Sequence, residues 1–272
     1  MNTAKSLLLK HPAERRAVSA MGRLGYAARG VIYLIVGVSA GLATFLPHYR
    51  PGGAIESLRP LQHHWAGAAL IVVLALGLAC LAGWLAIAAI LRRDHPGPAH
   101  LVLVIGTLGD AAVYVGFVVV VAGAAVGASH GGDPQLQSWV AWLLARTDGR
   151  VLVGGAGAAV FACGAGLFVW GLVGDVEGPL SLPPAERRLM QPVGRYGTSG
   201  RGAAIAAVGA SLFAAALHGN PHEAHALGGM LAALREHQWG VVVIGLFALA
   251  FIGSSALDFT IAGFRRFDPT DP

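Results

Sequence analysis

Four ionisable side chains lie within otherwise apolar stretches of this sequence: Arg29, Asp110, Arg201 and Asp258. A charge inside a hydrocarbon layer is costly unless it is paired or hydrated, so such residues are the first candidates for chemistry. One hypothesis is that they form ion pairs that hold helices in register, and the other is that they relay protons or anions. We favour ion pairing, because arginine barely titrates and a relay usually contains a longer chain of acids and histidines.

Each aspartate would then neutralise one arginine. On a helix, Asp258 lies seven residues before Arg265, which is about 10 Å into the apolar stretch at 1.5 Å per residue. From that depth it could reach Arg201. We therefore expect Asp110→Asn to destabilise the protein.

Histidines near the ends of the apolar stretches form a second set. The spacing of His218, His222 and His225 is i, i+4, i+7, and His63 is followed by His64. Imidazoles are common zinc and copper ligands, but Asn220-Pro221 interrupts the spacing, and such a proline usually begins a helix. We interpret these histidines as loop residues and predict no cofactor. A metal or haem site at the outer face stays an alternative.

No arrangement for catalysis is visible. Ser57 and His63 share a loop without a third partner, and Asp175 and Glu177 mark the solvated end of an apolar stretch. The net charge of +5 is spread between apolar stretches and forms no basic stripe, which argues against nucleic acid as a partner. We do not expect an enzyme.

The helices that would position these residues follow from composition. Charged residues make up 12% of the chain, against about a quarter in soluble domains, and the mean hydropathy is +0.63. So much apolar surface requires lipid as its solvent. A spanning helix needs roughly 20 apolar residues, and six stretches free of proline qualify: Leu24–Leu46, Trp65–Leu91, Leu101–Ala128, Val151–Val173, Val193–Leu217 and Trp239–Phe264.

The distribution of Lys and Arg predicts the orientation. Of the 19 basic residues, fourteen fall on the side that carries both termini. The five on the other side are Arg50, Arg59, Arg146, Arg150 and Arg235. Because cytoplasmic loops are enriched in Lys and Arg, both termini are predicted to be cytoplasmic. The abundance of Ala, Gly and Arg suggests a bacterial source, and therefore a multi-pass protein of the bacterial cytoplasmic (inner) membrane.

The sequence contains an internal repeat. The pattern R-x-G-x-x-x-R-G occurs at 23–30 and again 172 positions later, at 195–202. A weaker copy lies 81 positions from the first, where Gly106 and Tyr114 match Gly25 and Tyr33, and Asp110 replaces Arg29. The second helix of each unit aligns at shifts of 83 and 174, which place Cys80 on Cys163 and on Ser254. The predicted organisation is an N-terminal segment 1–19 followed by repeats at 20–95, 100–178 and 192–267.

The three units should be parallel, because each one enters from the cytoplasm and returns to it. Parallel repeats are related by an axis along the membrane normal, so a pseudo-threefold arrangement would place Arg29, Asp110 and Arg201 in a ring. Each outer loop also contains a short stretch that could lie amphipathically on the membrane surface; these are 55–61, 136–144 and 227–234. The glycines expected to let helices pack closely are those at 37, 41, 123, 127, 164 and 166 and those of the run 154–157.

The stretch from Gly25 to Leu34, with the Arg-Gly pair at 201–202, resembles the repeat signature of a bacterial membrane family catalogued as domain of unknown function 1206. The family implies three two-helix repeats and six transmembrane helices, and it implies no activity. The second unit departs from the signature at Asp110. The signature positions in this chain are Gly25, Tyr26, Gly30, Tyr33, Gly106, Tyr114, Gly197 and Gly202.

Three functional hypotheses remain from the sequence. The first is a helical scaffold or accessory subunit that contacts lipid and other membrane proteins, and we favour it because the alternatives require residues that are sparse here. The second is a transporter or channel for a small solute, ion or proton that uses the arginine–aspartate ring. The third is a metal or haem protein that uses the loop histidines.

Overall fold

The computed structural model describes residues 12–46, 49, 52–53, 56–57, 64–91, 114–115, 118, 132–174 and 184–264. Within these residues all regular secondary structure is helical, which confirms the predicted all-α class. We number the helices in chain order, with a short 3-10 helix, Pro221–Glu223, between α5 and α6. The helices are α1 Pro12–Phe45, α2 Trp65–Leu91, α3 Gly132–Leu144, α4 Gly149–Val173, α5 Pro184–His218, α6 Leu227–Arg235 and α7 Gly240–Phe264.

Five of these helices are long and apolar enough to cross a membrane. The qualifying segments are Arg16–Phe45, Trp65–Ile87, Gly149–Val173, Arg188–His218 and Gly240–Phe264. They correspond to five of the six predicted spans. The predicted span Leu101–Ala128 lies outside the described residues, apart from helical positions Tyr114, Val115 and Val118.

The five long helices pack side by side in the order α2, α1, α7, α5, α4. Neighbours are antiparallel. Along α1, Gly30 faces Phe259 of α7 and the later Gly37 faces the earlier Ile252. Along α5, Gly202 and Gly209 likewise face Phe168 and then Phe161 of α4. We call the end where α1 begins and α7 ends the terminal end. The opposite end, which carries α3, the 3-10 helix and α6, is the loop end.

Helices α1 and α5 extend well before the predicted spans. They have 34 and 35 residues, and each begins with Pro-Ala-Glu-Arg-Arg, at 12–16 and at 184–188. Proline suits the first position of a helix because its missing N–H would have no partner there. The extension places Pro192 inside α5, just before the stretch predicted to be free of proline. The helix continues past it, and the next turn packs with Gly194 against Leu257 of α7.

Two helix pairs repeat the same contacts. In α1 and α7, a Cβ placed on Gly30 would lie 3.3 Å from Phe259. In α5 and α4, the equivalent Gly202 faces Phe168 with its Cβ position 2.8 Å from the Phe168 Cα. Residue numbers rise by 172 from α1 to α5 and fall by 91 from α7 to α4. The same shifts relate the contact of Thr44 with Gly245 to that of Ala216 with Gly154.

The pairs α1–α2 and α5–α7 are also equivalent. Here the residue numbers rise by 173 from α2 to α7. Gly25 faces Leu81 just as Gly197 faces Ser254, and Gly77 meets Ala28 just as Ala250 meets Gly200. The predicted shift of 174, which aligned Cys80 with Ser254, is therefore wrong by one residue. Tryptophan and cysteine matches within an apolar run do not determine which face of a helix is buried, so they could not fix the register.

At the loop end, two of the three predicted surface stretches are helices, α3 and α6. Val140 of α3 and Leu231 of α6 are buried. Asp133 joins the two helices, because its carboxylate accepts a hydrogen bond of 2.7 Å from the backbone N–H of Ala226, the residue before α6. Such a contact supplies a partner to the otherwise unsatisfied N-terminus of α6.

Candidate functional site

An ion pair deep in the bundle joins α1 to α7. The guanidinium of Arg29 binds both carboxylate oxygens of Asp258, with Nε 2.7 Å from Oδ2 and Nη2 bonded to Oδ1. Asp258 is 1% exposed, and the Arg29 side chain is 11% exposed. This is the planar, bidentate geometry in which arginine binds a carboxylate most strongly.

Tyrosines surround this guanidinium. Nη1 of Arg29 donates a hydrogen bond of 3.0 Å to the hydroxyl of Tyr114. The ring centroid of Tyr26 lies 4.6 Å from the Arg29 Cζ, and that of Tyr33 lies 6.0 Å from it. A cation over an aromatic face is stabilised by the ring quadrupole, more strongly where water is excluded. Both carboxylate oxygens of Asp258 and all three guanidinium nitrogens of Arg29 thus make hydrogen bonds inside the protein.

Arg201 lies close by in a different environment. Its Cζ is 5.7 Å from the centroid of Tyr33. Its Nε is buried and has no hydrogen-bond partner among the described residues. On α4, the position equivalent to Asp258 is Leu167, which offers no carboxylate. The described part of the chain therefore neutralises one of the two intramembrane arginines.

The pairing differs from the one expected from sequence. Asp258 binds Arg29, not Arg201, although Arg201 and Asp258 belong to one predicted repeat. The reason is that the Asp258 face of α7 is turned towards α1, whereas the contacts of α7 with α5 run through Ala250, Gly253 and Ser254. Asp110, the fourth member of the predicted ring, lies outside the described residues.

The signature glycines lie at helix crossings. Side chains at Gly25 and Gly197 would collide with the backbone of Leu81 and of Ser254, and one at Gly202 would collide with Phe168. Gly30 is less tight, against Phe259 and Asp258. Of these glycines, Gly30 lies at the crossing of α1 with α7 that also holds the Arg29–Asp258 pair, and Gly106 lies outside the described residues.

The histidines at the loop end do not converge. Nδ1 of His218 lies 2.6 Å from Glu223, and Nδ1 of His225 lies 2.9 Å from Asp133. The hydrogen bond from His218 lowers the pKa of Glu223. His222 and His64 are exposed, and His63 lies outside the described residues. Across the described ranges, no group of three or more His, Cys, Asp or Glu side chains could hold a metal ion.

Sequence reasoning missed the aromatic surroundings of Arg29. Tyr26 and Tyr33 lie three residues before and four residues after it, which is the spacing that puts side chains on one helix face. That spacing could have identified the cation–π contacts. Sequence reasoning also missed Arg235, whose guanidinium binds the carbonyls of Leu46 and Tyr49 past the end of α1. No local spacing in the sequence indicates this contact.

The sequence profile of a family described as Domain of Unknown Function (DUF1206) matches residues 24–92 and 196–265. This chain belongs to that family. The two DUF1206 matches begin 172 residues apart, the displacement seen in the contacts of α1 and α5. An uncharacterized protein of Bacillus subtilis (strain 168), YxxB, is 26% identical over 245 residues, covering 86% of each chain. No solved structure matches this DUF1206 protein.

Proposed function

We propose that this DUF1206 protein is a membrane scaffold or accessory subunit that binds neighbouring membrane proteins, and that its intramembrane charges lock its helices together. The observation that supports this proposal is the bidentate pair between Arg29 and Asp258. A proton relay needs a carboxylate that can gain and lose its proton, and Asp258 is held by two hydrogen bonds to a permanent cation.

The proposal includes a third unit, formed by residues 100–178, and a pseudo-threefold axis. The recurrence of the α1–α7 contacts in α5–α4 supports this arrangement, because cyclic order would pair the first helix of the second unit with α2 in the same way. Asp110 would then stand on the ring with Arg29 and Arg201. Two arginines and two aspartates would leave no net charge in the membrane, which agrees with the cost of an unpaired ion there.

We further propose that the protein lies in the bacterial cytoplasmic membrane with both termini inside. The excess of basic residues at the terminal end supports this orientation. A reporter enzyme that is active only outside the cytoplasm should be active when it is fused at Thr147, in the turn between α3 and α4. An inactive fusion at that position would indicate the opposite orientation.

One observation favours a second candidate function, anion transport. The buried Nε of Arg201 has no partner within the described ranges, so an anion crossing the bundle could bind there transiently. The two functions make different demands on Arg201: a scaffold requires it to be neutralised by the protein, and a transporter requires it to exchange ligands.

The charge pair is tested by comparing single and double substitutions. Removing one partner of a buried ion pair typically costs about 3–5 kcal/mol, whereas replacing both with apolar residues is often neutral. We expect Asp258→Leu alone to lower the melting temperature of the purified protein strongly. The double variant Arg29→Met with Asp258→Leu should recover most of that loss. The equivalent position on α4 already carries Leu167, so leucine suits this helix face.

Reconstituted vesicles separate the two functions. As a scaffold, the wild-type protein should leave proton and chloride permeability unchanged, and in-cell cross-linking should recover a reproducible partner. Flux through wild-type vesicles that falls in Arg201→Gln, without loss of folding, would overturn the scaffold proposal. Equal stability of Asp258→Leu and wild type would overturn the charge lock.

A further inference from the structure

A lateral groove lies between α5 and α7. Its volume is about 350 Å³, and its walls are formed by Val193, Tyr196, Ile252, Gly253 and Ala256 with flanking residues. Gly253 is buried at the base. The groove lies within the candidate membrane spans of both helices, and its volume falls within the roughly 300–1,000 Å³ typical of small-molecule sites.

The walls of the groove select an apolar occupant. The only polar group among the five wall residues is the hydroxyl of Tyr196, and it donates a hydrogen bond of 2.8 Å to the carbonyl of Leu246. A polar ligand placed here would lose its hydrogen bonds to water without replacement, which is unfavourable. A hydrocarbon chain has no such cost.

A cation stands above the groove. Arg188 is exposed and precedes Pro192 and Tyr196 by four and eight residues, so the three share one face of α5. It is also the first residue of the α5 membrane span. A ligand that fills the groove with hydrocarbon would therefore end beside a positive charge at the membrane boundary, where lipid headgroups lie.

We propose that the groove holds one acyl chain of an anionic phospholipid and that Arg188 interacts with the net negative charge of its headgroup. The first repeat provides the comparison. There Arg16 occupies the position of Arg188, within the same Pro-Ala-Glu-Arg-Arg segment. Met21 replaces Val193, and its Cε lies 3.0 Å from the Cβ position of Gly83, the equivalent of Ala256. A methionine side chain thus fills this space between α1 and α2, so the groove of the third unit has no open counterpart in the first.

The test is native mass spectrometry of the full-length protein in detergent, with added phosphatidylglycerol or phosphatidylcholine. Wild type should retain phosphatidylglycerol preferentially. An arginine near an anionic surface contributes about 1 kcal/mol, so Arg188→Gln should weaken phosphatidylglycerol binding about fivefold and leave phosphatidylcholine binding unchanged. Ala256→Leu should reduce binding of both lipids, because the leucine occupies the groove.

Arg16→Gln is the matched control, since it removes the same charge from the equivalent position beside a filled groove. We expect it to bind both lipids as wild type does. An equal loss in Arg16→Gln and Arg188→Gln would overturn the proposal, and so would full binding by a folded Ala256→Leu variant. A photo-cross-linker at Ile252 that captures a second copy or another protein, and no lipid, would also overturn it.

Discussion

At the scale of single residues, the Arg29 site combines three stabilising contacts that each need close approach. Asp258 supplies charge, Tyr114 accepts a hydrogen bond, and Tyr26 and Tyr33 present their ring faces. Removing any one of them leaves the guanidinium partly uncompensated in the interior of the bundle. The site is therefore sensitive to substitution in a way that exposed ion pairs are not.

A residue-scale prediction concerns Glu223 at the loop end, whose pKa is lowered mainly by the hydrogen bond from His218. The unfolded chain binds this proton more tightly than the folded protein does, so the contact stabilises at pH values above the ordinary pKa of the carboxyl group. That contribution is lost as the pH falls through the lowered pKa. Melting curves of wild type and Glu223→Gln should therefore differ near neutral pH and converge in acid.

Glu236→Gln, which removes an exposed carboxylate at the same end, controls for net charge. Melting temperatures of wild type and Glu223→Gln that stay equally far apart from neutral pH into acid would show that the His218 contact makes no pH-dependent contribution to stability.

At the scale of elements, the seam between α4 and α5 is built on glycines seven residues apart. Gly157, Gly164 and Gly171 line α4, and Gly202 and Gly209 line α5. In lipid, helix association depends on packing and not on a hydrophobic driving force, so close backbone contact is the available source of stability. Of the glycines expected to pack, Gly157 and Gly164 do so, whereas Gly155 and Gly166 have no described neighbour within 4 Å of their Cβ positions.

That contrast gives a prediction for the seam. In Gly164→Ala the new methyl group would meet the backbone of Ala206 and the carbonyl of Gly202, so the helices must move apart, at a cost of about 1–3 kcal/mol. Gly166→Ala, two residues along the same helix, should be nearly neutral. Thermal unfolding in detergent compares them. Two variants with the same melting temperature would show that the close contact is unimportant.

At the scale of the whole molecule, α4 carries an exposed face whose counterpart is covered. Ala159, Ala162 and Cys163 are exposed, whereas the equivalent Ala250, Gly253 and Ser254 of α7 are buried against α5. If the three-unit arrangement is right, the first helix of the second unit covers this face. Apart from Tyr114, Val115 and Val118, its residues lie outside the described ranges, so the equivalence predicts which of them meet α4.

In the third unit Gly253 lies against Val193. The equivalent positions in the second unit, 91 residues earlier, are Ala162 and Val102. In a background lacking Cys80 and Cys163, Val102→Cys with Ala162→Cys should form a disulfide rapidly on mild oxidation in membranes. Val104→Cys, two residues along and on another helix face, should react slowly with Ala162→Cys. Equal rates, or no reaction with either, would contradict a third unit packed like the other two.

Sequence by itself determined the apolar character of this protein and the positions of its five described spans, but not the early starts of α1 and α5. Five predicted spans agree with the described helices because the length of an apolar run and the positions of proline and glycine are local properties of the sequence. The register of α1 against α5 agrees because a motif repeated after 172 residues is local as well. The Pro-Ala-Glu-Arg-Arg segments at 12–16 and 184–188 also marked where α1 and α5 begin, although their significance was clear only from the helices.

Only the tertiary structure decided which side chains meet. Asp258 turns to Arg29 because α7 presents different faces to α1 and α5, and the second-helix register of 173 follows from burial at Gly25 and Gly197. The groove beside Tyr196 has Val193 in its wall, where the first repeat has the longer side chain of Met21. A helix side chain's partner is set by the rotation and closeness of neighbouring helices, and that geometry arises from all their contacts together, not from the spacing along any one of them.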